Sequence, residues 1–195
     1  MNFLAHQYLS FHNSEIQLGN LYGEIVRGKD YLHFEKGLQN GILLHREIDT
    51  FTDAHDLVKN STQKFHEKYG KYAPVIVDVL YDYLLIKNWE TYSQVPFDQF
   101  VQDCYALFSE NFETFPPKLQ FIIQHLLEHD WFHNYTSIEG ISQTLKGISQ
   151  RSKFKNNIEE STHEFLLFEQ DLQEDFQIFF PELISHCKLF IAENQ

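Results

Sequence analysis

The sequence contains few of the residues that build covalently cross-linked or turn-rich folds. Its 195 residues include only two cysteines, Cys104 and Cys187, too few for a disulfide framework or a cysteine-based zinc site. With 8 glycines and 5 prolines, the composition excludes a collagen-like chain or a linker and disfavours a turn-rich β-barrel. Hydrophobic residues make up 43% of the chain and aromatic residues 16%, which excludes a disordered protein. A globular domain with a large apolar core remains.

Long hydrophobic runs are also absent. No segment reaches the length of about 18 apolar residues that a membrane-spanning helix needs. The N-terminal segment has no basic region of the kind that starts a secretory signal, and it carries His6 and His12. We therefore expect a cytoplasmic protein that does not span a membrane.

Positive charge is scarce, with 15 lysines and arginines against 28 acidic residues and a formal charge of −13. Because general nucleic-acid binding needs a basic surface, this balance argues against a nucleic-acid partner. Residues 159–182 contain eight acidic residues and no lysine or arginine. Two local basic runs stand out: Lys59, Lys64, Lys68 and Lys71, and Lys146, Arg151, Lys153 and Lys155. Each charged run is either solvated surface or a face that meets an anionic substrate or an acidic partner.

The hydrophobic periodicity indicates helices almost throughout. Helix signals recur along the chain: Gly28 and Gly70 as stop signals, Pro74, Pro96 and the Pro116–Pro117 pair at helix starts, and Ser137 as a cap. The C-terminal segment 156–193 predicts one or two amphipathic helices with a break at Pro181. We expect one all-α domain over residues 1–195, a bundle of seven to nine helices.

Two carboxylates interrupt the most apolar segment, residues 75–86. Asp78 and Asp82 lie one turn apart on the same face of a helix that is otherwise apolar all round and therefore buried. Burying unpaired charges costs several kcal/mol in practice. A basic partner, a helix-cap contact, a shared proton or a metal ion would compensate, so the pair indicates either a structural contact or a functional site.

A second set of polar residues occupies one face of an earlier predicted helix. His45 and Asp49 are separated by four residues, and Asp53 follows one turn later. An imidazole beside carboxylates is a partial ligand set for Mn, Fe, Zn or Mg, but this spacing alone is common on ordinary helices. Together with the aspartate pair, it favours Mn²⁺ or a two-metal hydrolase over structural zinc. His6 and Glu24 are candidates of the same kind, whereas the adjacent His129 and Asp130 are predicted to be surface residues.

Several ordered motifs resemble a known family. They are Asn2-Phe3-Leu4-Ala5-His6, Gly19-Asn20-Leu21, Val26-Arg27-Gly28, Gly41-Ile42, His45-Arg46, Ile48-Asp49, Thr52-Asp53, Asp78-Val79, Tyr81-Asp82, Asn88-Trp89 and the later Trp131, Tyr135, Gly147 and Arg151. In this order they resemble the acyl carrier protein phosphodiesterase family, a divergent relative of the HD-type metal phosphohydrolases. The chain differs from the expected pattern at Glu24, where the family would have Asp, and at Tyr83, where it would have His.

The resemblance implies an HD-domain-like all-α fold and a phosphodiesterase that removes 4′-phosphopantetheine from holo-acyl carrier protein. It implies a divalent metal, Mn²⁺ first, with Mg²⁺ or Fe²⁺ as alternatives. Its implied metal ligands are Glu24, His45, Asp78 and Asp82, and its implied catalytic residues are His6 and Asp49. We expect Arg27, Arg46 and Arg151 to bind phosphate oxygens, because arginine is a planar two-pronged donor.

Two other functions remain open from the residues alone. The first is a metal phosphohydrolase that acts on a small nucleotide or a coenzyme A-like phosphoester. The second is a catalytically lapsed helical protein that binds a lipid or a partner helix in a cleft rich in Phe and Tyr.

Overall fold

The computed structural model describes residues 1–154 and 156–194, and within them the chain forms eleven α-helices and no β-strand. Eight helices have ten or more residues, and the other three, α1, α6 and α9, have four to six. The helices are α1 (Phe3–Tyr8), α2 (Ser14–Gly23), α3 (Lys36–Ala54), α4 (Asp56–Tyr69), α5 (Ala73–Lys87), α6 (Trp89–Tyr92), α7 (Phe97–Glu110), α8 (Pro117–Glu128), α9 (Trp131–Asn134), α10 (Ile138–Arg151) and α11 (Thr162–Asn194). The predicted all-α class is confirmed, and the three short helices account for the excess over seven to nine.

Most helix boundaries follow the sequence signals. Gly70 ends α4 with a positive φ of 51°, and Pro74 lies in the first turn of α5, where its missing N–H has no intrahelical partner to lose. Ser137 caps α10 by accepting a hydrogen bond from the backbone N–H of Gly140. The helix for which Gly28 was the expected stop signal ends earlier, at Gly23, and the Arg27 guanidinium donates to the carbonyls of Gly23 and Glu24 at this end.

The C-terminal segment is one 33-residue helix, α11, so the break predicted at Pro181 is wrong. A proline inside a helix removes one backbone hydrogen bond and usually kinks or breaks the helix. Here the proline ring is exposed, while Phe176, Phe179, Phe180 and Leu183 on either side of it are fully buried. Their burial holds both halves of the helix against the core.

The long helix α11 packs along α3, α4 and α5 through a seam of aromatic rings. Phe176 and Phe180 stack with their centroids 5.0 Å apart, and the Tyr81 ring of α5 meets Phe176 edge-on at 5.2 Å. Such pairs add about 0.5–1.5 kcal/mol each to the free energy of burial. The phenylalanine-rich composition therefore serves the core.

The acidic segment 159–182 pairs with one of the basic runs of the same chain. Lys64 of α4 lies 2.7 Å from Asp171 of α11, and Lys68 lies 2.7 Å from Glu164. Lys87 of α5 pairs in the same way with Glu169 at 2.6 Å. Exposed pairs of this kind contribute little stability each. Within the run from Lys59 to Lys71, Lys64 and Lys68 thus meet acidic residues of their own chain at the surface, and Lys59 pairs with Asp56 at 3.2 Å. Lys155 of the second run lies outside the described residues.

The helices α2 and α3 cross with their backbones in contact. A methyl group on Gly41 would lie 2.7 Å from the Cα of Gly19, and one on Gly19 would lie 2.8 Å from the Cα of Gly41. No other residue type would allow this approach. The crossing brings the side chain of Asn20, directly after Gly19 on α2, next to that of His45, about one turn after Gly41 on α3.

Gly41→Ala should therefore lower the free energy of unfolding by about 1–3 kcal/mol, since it overpacks a backbone contact. Gly147 is the matched control, because it lies inside α10 and an added methyl group would have only Arg151 nearby, at 3.4 Å. Gly147→Ala should raise stability by up to about 1 kcal/mol through helix propensity. Urea unfolding of both variants measures the difference, and equal effects would contradict the close crossing.

Candidate functional site

Two imidazoles and one carboxylate meet where α1 packs against α2 and α3. The rings of His6 and His45 face each other, with centroids 4.3 Å apart and an interplanar angle of 33°. The His6 Nε2 lies 3.2 Å from Oδ1 of Asp49, and the His45 Nε2 lies 3.4 Å from Oδ2. These three residues, called the His–His–Asp cluster below, bring their ligand atoms within 4.8 Å of one another.

The donor set of the His–His–Asp cluster fits a divalent transition metal. Metal–nitrogen and metal–oxygen bonds of about 2.0–2.2 Å separate neighbouring ligand atoms by roughly 3 to 3.5 Å in tetrahedral or octahedral spheres. The observed separations of 3.2 and 3.4 Å fall in this range. Two imidazoles with one carboxylate suit iron, manganese or zinc, whereas Mg²⁺ prefers oxygen ligands alone. The residues present therefore fit such an ion.

Asn20 of α2 contacts both histidines at their Nδ1 atoms, on the side of each ring away from Asp49. Its Oδ1 lies 2.9 Å from Nδ1 of His6 and 3.0 Å from Nδ1 of His45. Its Nδ2 donates to the backbone carbonyl of His6 at 3.0 Å and to Oγ of Ser10 at 3.2 Å. The Asn20 side chain is buried, with 1% of the residue exposed. All three helices thus contribute to one hydrogen-bonded unit.

Local sequence explains how the ring of His45 reaches this position. Gly23 ends α2 directly against the ring, and a methyl group there would lie 2.8 Å from the His45 Cδ2. Asp49 follows His45 by one turn of α3, so both side chains point to the same side of the helix. Asp53, one turn further, is exposed and does not join the group of ligand atoms found among the described residues.

Burial sets the charge states in the cluster. Desolvation, together with the neighbouring His6, lowers the pKa of His45 to about 3, and Asp49 opposes this shift only in part. Burial alone would raise the pKa of Asp49, but the hydrogen bond and charge of His6, with His45 nearby, bring the pKa below its usual value. A neutral imidazole and an ionised carboxylate are the protonation states that metal binding requires. The Asp49 side chain is 48% exposed, so the cluster opens to solvent there.

The structure places Asp78 and Asp82 against the start of α1. Asp78 accepts a hydrogen bond from the Met1 ammonium at 2.6 Å. Asp82 is fully buried and accepts from the backbone N–H groups of Asn2 and Leu4 at 3.3 and 3.0 Å. Burial raises the pKa of Asp82 to about 7, against the opposing effects of the ammonium, His6 and these N–H groups. Within the described residues the two aspartates do not join the His–His–Asp cluster, and they hold the helix that carries His6.

The two positions that differ from the expected family pattern have different surroundings. Glu24 is close enough to His6 and Asp49 for their charges to influence it, and burial raises the pKa of its carboxyl. Tyr83 lies on another face of α5, where its ring meets Phe165 of α11 edge-on at 5.4 Å. Tyr83 therefore lies outside the His–His–Asp cluster.

The three predicted phosphate-binding arginines have other contacts. Arg27 donates to the carbonyls of Gly23 and Glu24, and Arg46 donates to those of Val26 and Gly28. The two guanidinium groups thus brace the loop that follows α2. Arg151 lies over the ring of Trp131 at 5.9 Å, and that ring packs edge-on against Phe3 at the start of α1.

A second group of metal-ligand type lies on α8 and just beyond it. His125, Glu128 and His129 bring one ligand atom each within 4.8 Å of one another, but two of the three residues are exposed. Asp130, next in the chain, is also exposed, as predicted for the His129–Asp130 pair. This group provides an internal comparison for the buried cluster.

Sequence reasoning found three members of the buried unit and missed the fourth. Asn20 appeared only inside a motif of the resemblance, with no role. The available signal was an amide side chain between apolar neighbours, with Leu18 and Gly19 before it and Leu21 and Tyr22 after it. Sequence reasoning also assigned His6 and Asp49 a catalytic role and His45 a metal-binding role, although the structure brings the three side chains together.

The fold and the cluster together define an all-α protein with a buried site of metal-ligand type. The family model described as "Acyl carrier protein phosphodiesterase" matches residues 1–183. The chain is 28% identical to the acyl carrier protein phosphodiesterase of Yersinia enterocolitica over 189 residues, which cover 96% of this chain and 98% of that relative. It is 27% identical to the proteins of the same name from Salmonella paratyphi A and Salmonella newport, over 96% of this chain and 97% of each relative. No solved structure matches the chain.

The chain belongs to the acyl carrier protein phosphodiesterase family. The resemblance inferred from the ordered motifs is thereby confirmed, and so is the expectation of a hydrolase of phosphodiester bonds. The HD-domain-like character of the fold stays an expectation. In the described part of the chain, no helix combines the length and apolarity needed to cross a membrane.

The charge state of His45 predicts a pH dependence of stability. His45 stays neutral in the folded protein while it takes up a proton in the unfolded chain below its ordinary pKa of 6.5. The free energy of unfolding should therefore fall as the pH falls from about 6.5, by roughly 2 kcal/mol at pH 5 from this residue. Measured in chelator, His45→Gln should lose about that much less than wild type between pH 7 and 5.

The exposed His66 supplies the control, since His66→Gln should keep the wild-type slope. Parallel curves for wild type and His45→Gln would show that His45 is not held neutral.

Proposed function

We propose that this protein is a metal-dependent phosphodiesterase that removes 4′-phosphopantetheine from holo-acyl carrier protein and leaves the apo form. The observation that carries the proposal is the convergence of two imidazole nitrogens and one carboxylate within 4.8 Å at a buried helix crossing. Relatives that match nearly the whole chain are named acyl carrier protein phosphodiesterase. That name indicates hydrolysis of a phosphodiester bond on acyl carrier protein, and the cluster offers ligands for a metal ion that would assist it.

His6, His45 and Asp49 are the proposed metal ligands. Mn²⁺ is the first candidate, because a mixed set of imidazole and carboxylate suits it, and Fe²⁺ is the alternative that the same set favours. This arrangement changes the roles expected from sequence for His6 and Asp49, whose ligand atoms face the same point as that of His45. Asp78 and Asp82 act on the site indirectly, because they fix the start of α1, the helix that carries His6.

A divalent ion bound here would polarise a phosphoryl oxygen and make a water molecule more acidic. The chain itself must move protons, and Glu24 is the proposed group. It lies near the cluster, and burial raises the pKa of its carboxyl, which favours a residue that can hold and release a proton. Arg27 and Arg46 have further N–H donors beyond those used on the loop carbonyls, and these donors are available to phosphate oxygens.

Charge pairing within the chain suggests where an acidic carrier protein docks. The lysines of α4 and α5 that face α11 have carboxylate partners in the same molecule. No carboxylate lies within ion-pair distance of Arg27, Arg46 or Lys118 in the described ranges, and Lys118 is close enough to Glu24 to influence it. These cations beside the site offset the net charge of −13 where an anionic substrate arrives.

Intact mass spectrometry of holo-acyl carrier protein, incubated with this protein and Mn²⁺, tests the proposal. We expect a mass loss equal to 4′-phosphopantetheine, which a chelator abolishes. His45→Gln should lose at least about 100-fold in rate and in Mn²⁺ affinity, since even partners outside the ligand set affect both by 10- to 100-fold.

His129→Gln is the matched control, because it removes an imidazole from the exposed group and should leave both quantities unchanged. Loss of activity in His129→Gln but not in His45→Gln would move the site to α8. Hydrolysis of small phosphoesters without any change in the carrier protein would favour the small-molecule alternative. Absence of both activities from the metal-loaded protein would overturn the proposal.

A further inference from the structure

We propose that Asn20 is a positioning residue that holds His6 and His45 in the same tautomer, with hydrogen on Nδ1. Both Nε2 lone pairs then point to one place beside Asp49. The inference concerns the metal-free chain, and its consequence for metal affinity rests on the proposed function. Asn20 touches neither substrate nor ion in this account, and it acts through the two rings.

The orientation of the Asn20 amide follows from its other contacts. The backbone carbonyl of His6, 3.0 Å from Nδ2, can only accept a hydrogen bond. Ser10 donates its single hydroxyl proton to that same carbonyl at 2.9 Å, so its Oγ can only accept from Asn20, at 3.2 Å. A flipped amide would place an oxygen against two acceptors. The NH₂ group therefore faces α1, and Oδ1 faces the two rings.

The tautomers follow from that orientation. An amide oxygen only accepts, so a ring nitrogen at hydrogen-bond distance must carry the proton. Both Nδ1 atoms satisfy the distance, at 2.9 Å for His6 and 3.0 Å for His45, and one carbonyl oxygen has two lone pairs to receive them. A neutral imidazole carries one proton, so each Nε2 is left as a bare lone pair.

The result is an arrangement that lacks positive charge at its centre. When both rings are neutral, two lone pairs and the Asp49 carboxylate face one another at 3.2 and 3.4 Å, whereas a protonated His6 donates its Nε2 hydrogen to Oδ1 of Asp49. Three acceptor groups at this range repel, and a cation between them removes the repulsion. Asn20 thus prepares the ligand set before the ion arrives, and it does so with one buried side chain for both imidazoles.

A purely structural role for Asn20 would have different consequences. A buried amide that only stabilises the fold would leave the proton positions on the rings unchanged when it is replaced at constant fold. Gln17 offers the matched comparison, because it lies on the same helix, is 6% exposed and donates to Sγ of Cys104, away from the histidines. Asn20→Leu and Gln17→Met each remove one buried amide and keep a side chain of similar shape.

Long-range ¹⁵N–¹H NMR of the metal-free full chain, at a pH of about 8 where imidazoles are neutral, gives the decisive readout. We expect protonated Nδ1 and unprotonated Nε2 on both His6 and His45, with signals assigned from His6→Gln and His45→Gln. Asn20→Leu should release this preference in both rings, and Gln17→Met should keep it. In calorimetric titration with Mn²⁺, Asn20→Leu should weaken binding by about 10- to 100-fold and Gln17→Met should not.

The proton positions in wild type decide the inference even if Asn20→Leu fails to fold. Hydrogen on Nε2 of either ring would overturn it, and so would unchanged tautomers in a folded Asn20→Leu. If the tautomers are as expected but no Mn²⁺ binds to wild type, the inference about Asn20 stands and the metal-dependent function fails.

Discussion

The contact between α2 and α3 at Gly19 and Gly41 is the constraint on which the candidate site depends. With two hydrogen atoms in place of side chains, the helix backbones come close enough for Asn20, the next residue on α2, to reach across to His45 of α3. The same asparagine binds α1 through His6, so a close helix crossing becomes a junction of three helices. A wider crossing would separate the two imidazoles, and the His–His–Asp cluster would lose its shared centre.

Asp78 and Asp82 of α5 contribute to the site although their side chains are not part of the His–His–Asp cluster. Burial of Asp82 is compensated by two backbone N–H groups at the start of α1, and Asp78 receives the Met1 ammonium. These contacts fix the first turn of a six-residue helix, which is too short to be stable alone. His6 therefore has a defined position because carboxylates from a distant part of the chain hold the helix around it.

The sequence predicted the all-α class and most helix boundaries well, because Gly70, Pro74 and Ser137 act on their own immediate backbone. It failed where distant parts of the chain decide. Helix α11 continues past Pro181 because Phe179 and Phe180, just before it, and Leu183, just after it, are buried. The lysines of α4 form ion pairs with residues of α11 that lie about a hundred positions later in the sequence. The same limit applies to the site. His45 and Asp49 share a face because of helical spacing, whereas their meeting with His6 and Asn20 depends on packing that no local pattern records.

The central claim is that His6, His45 and Asp49 hold one divalent ion at the junction of α1, α2 and α3. The most direct measurement is anomalous diffraction from crystals of the full chain grown with Mn²⁺, with data collected near the manganese edge. The account predicts an anomalous peak bonded to Nε2 of both histidines and to the Asp49 carboxylate. A peak at Asp78 and Asp82, or only at His125, Glu128 and His129, with the cluster unbound, would contradict it.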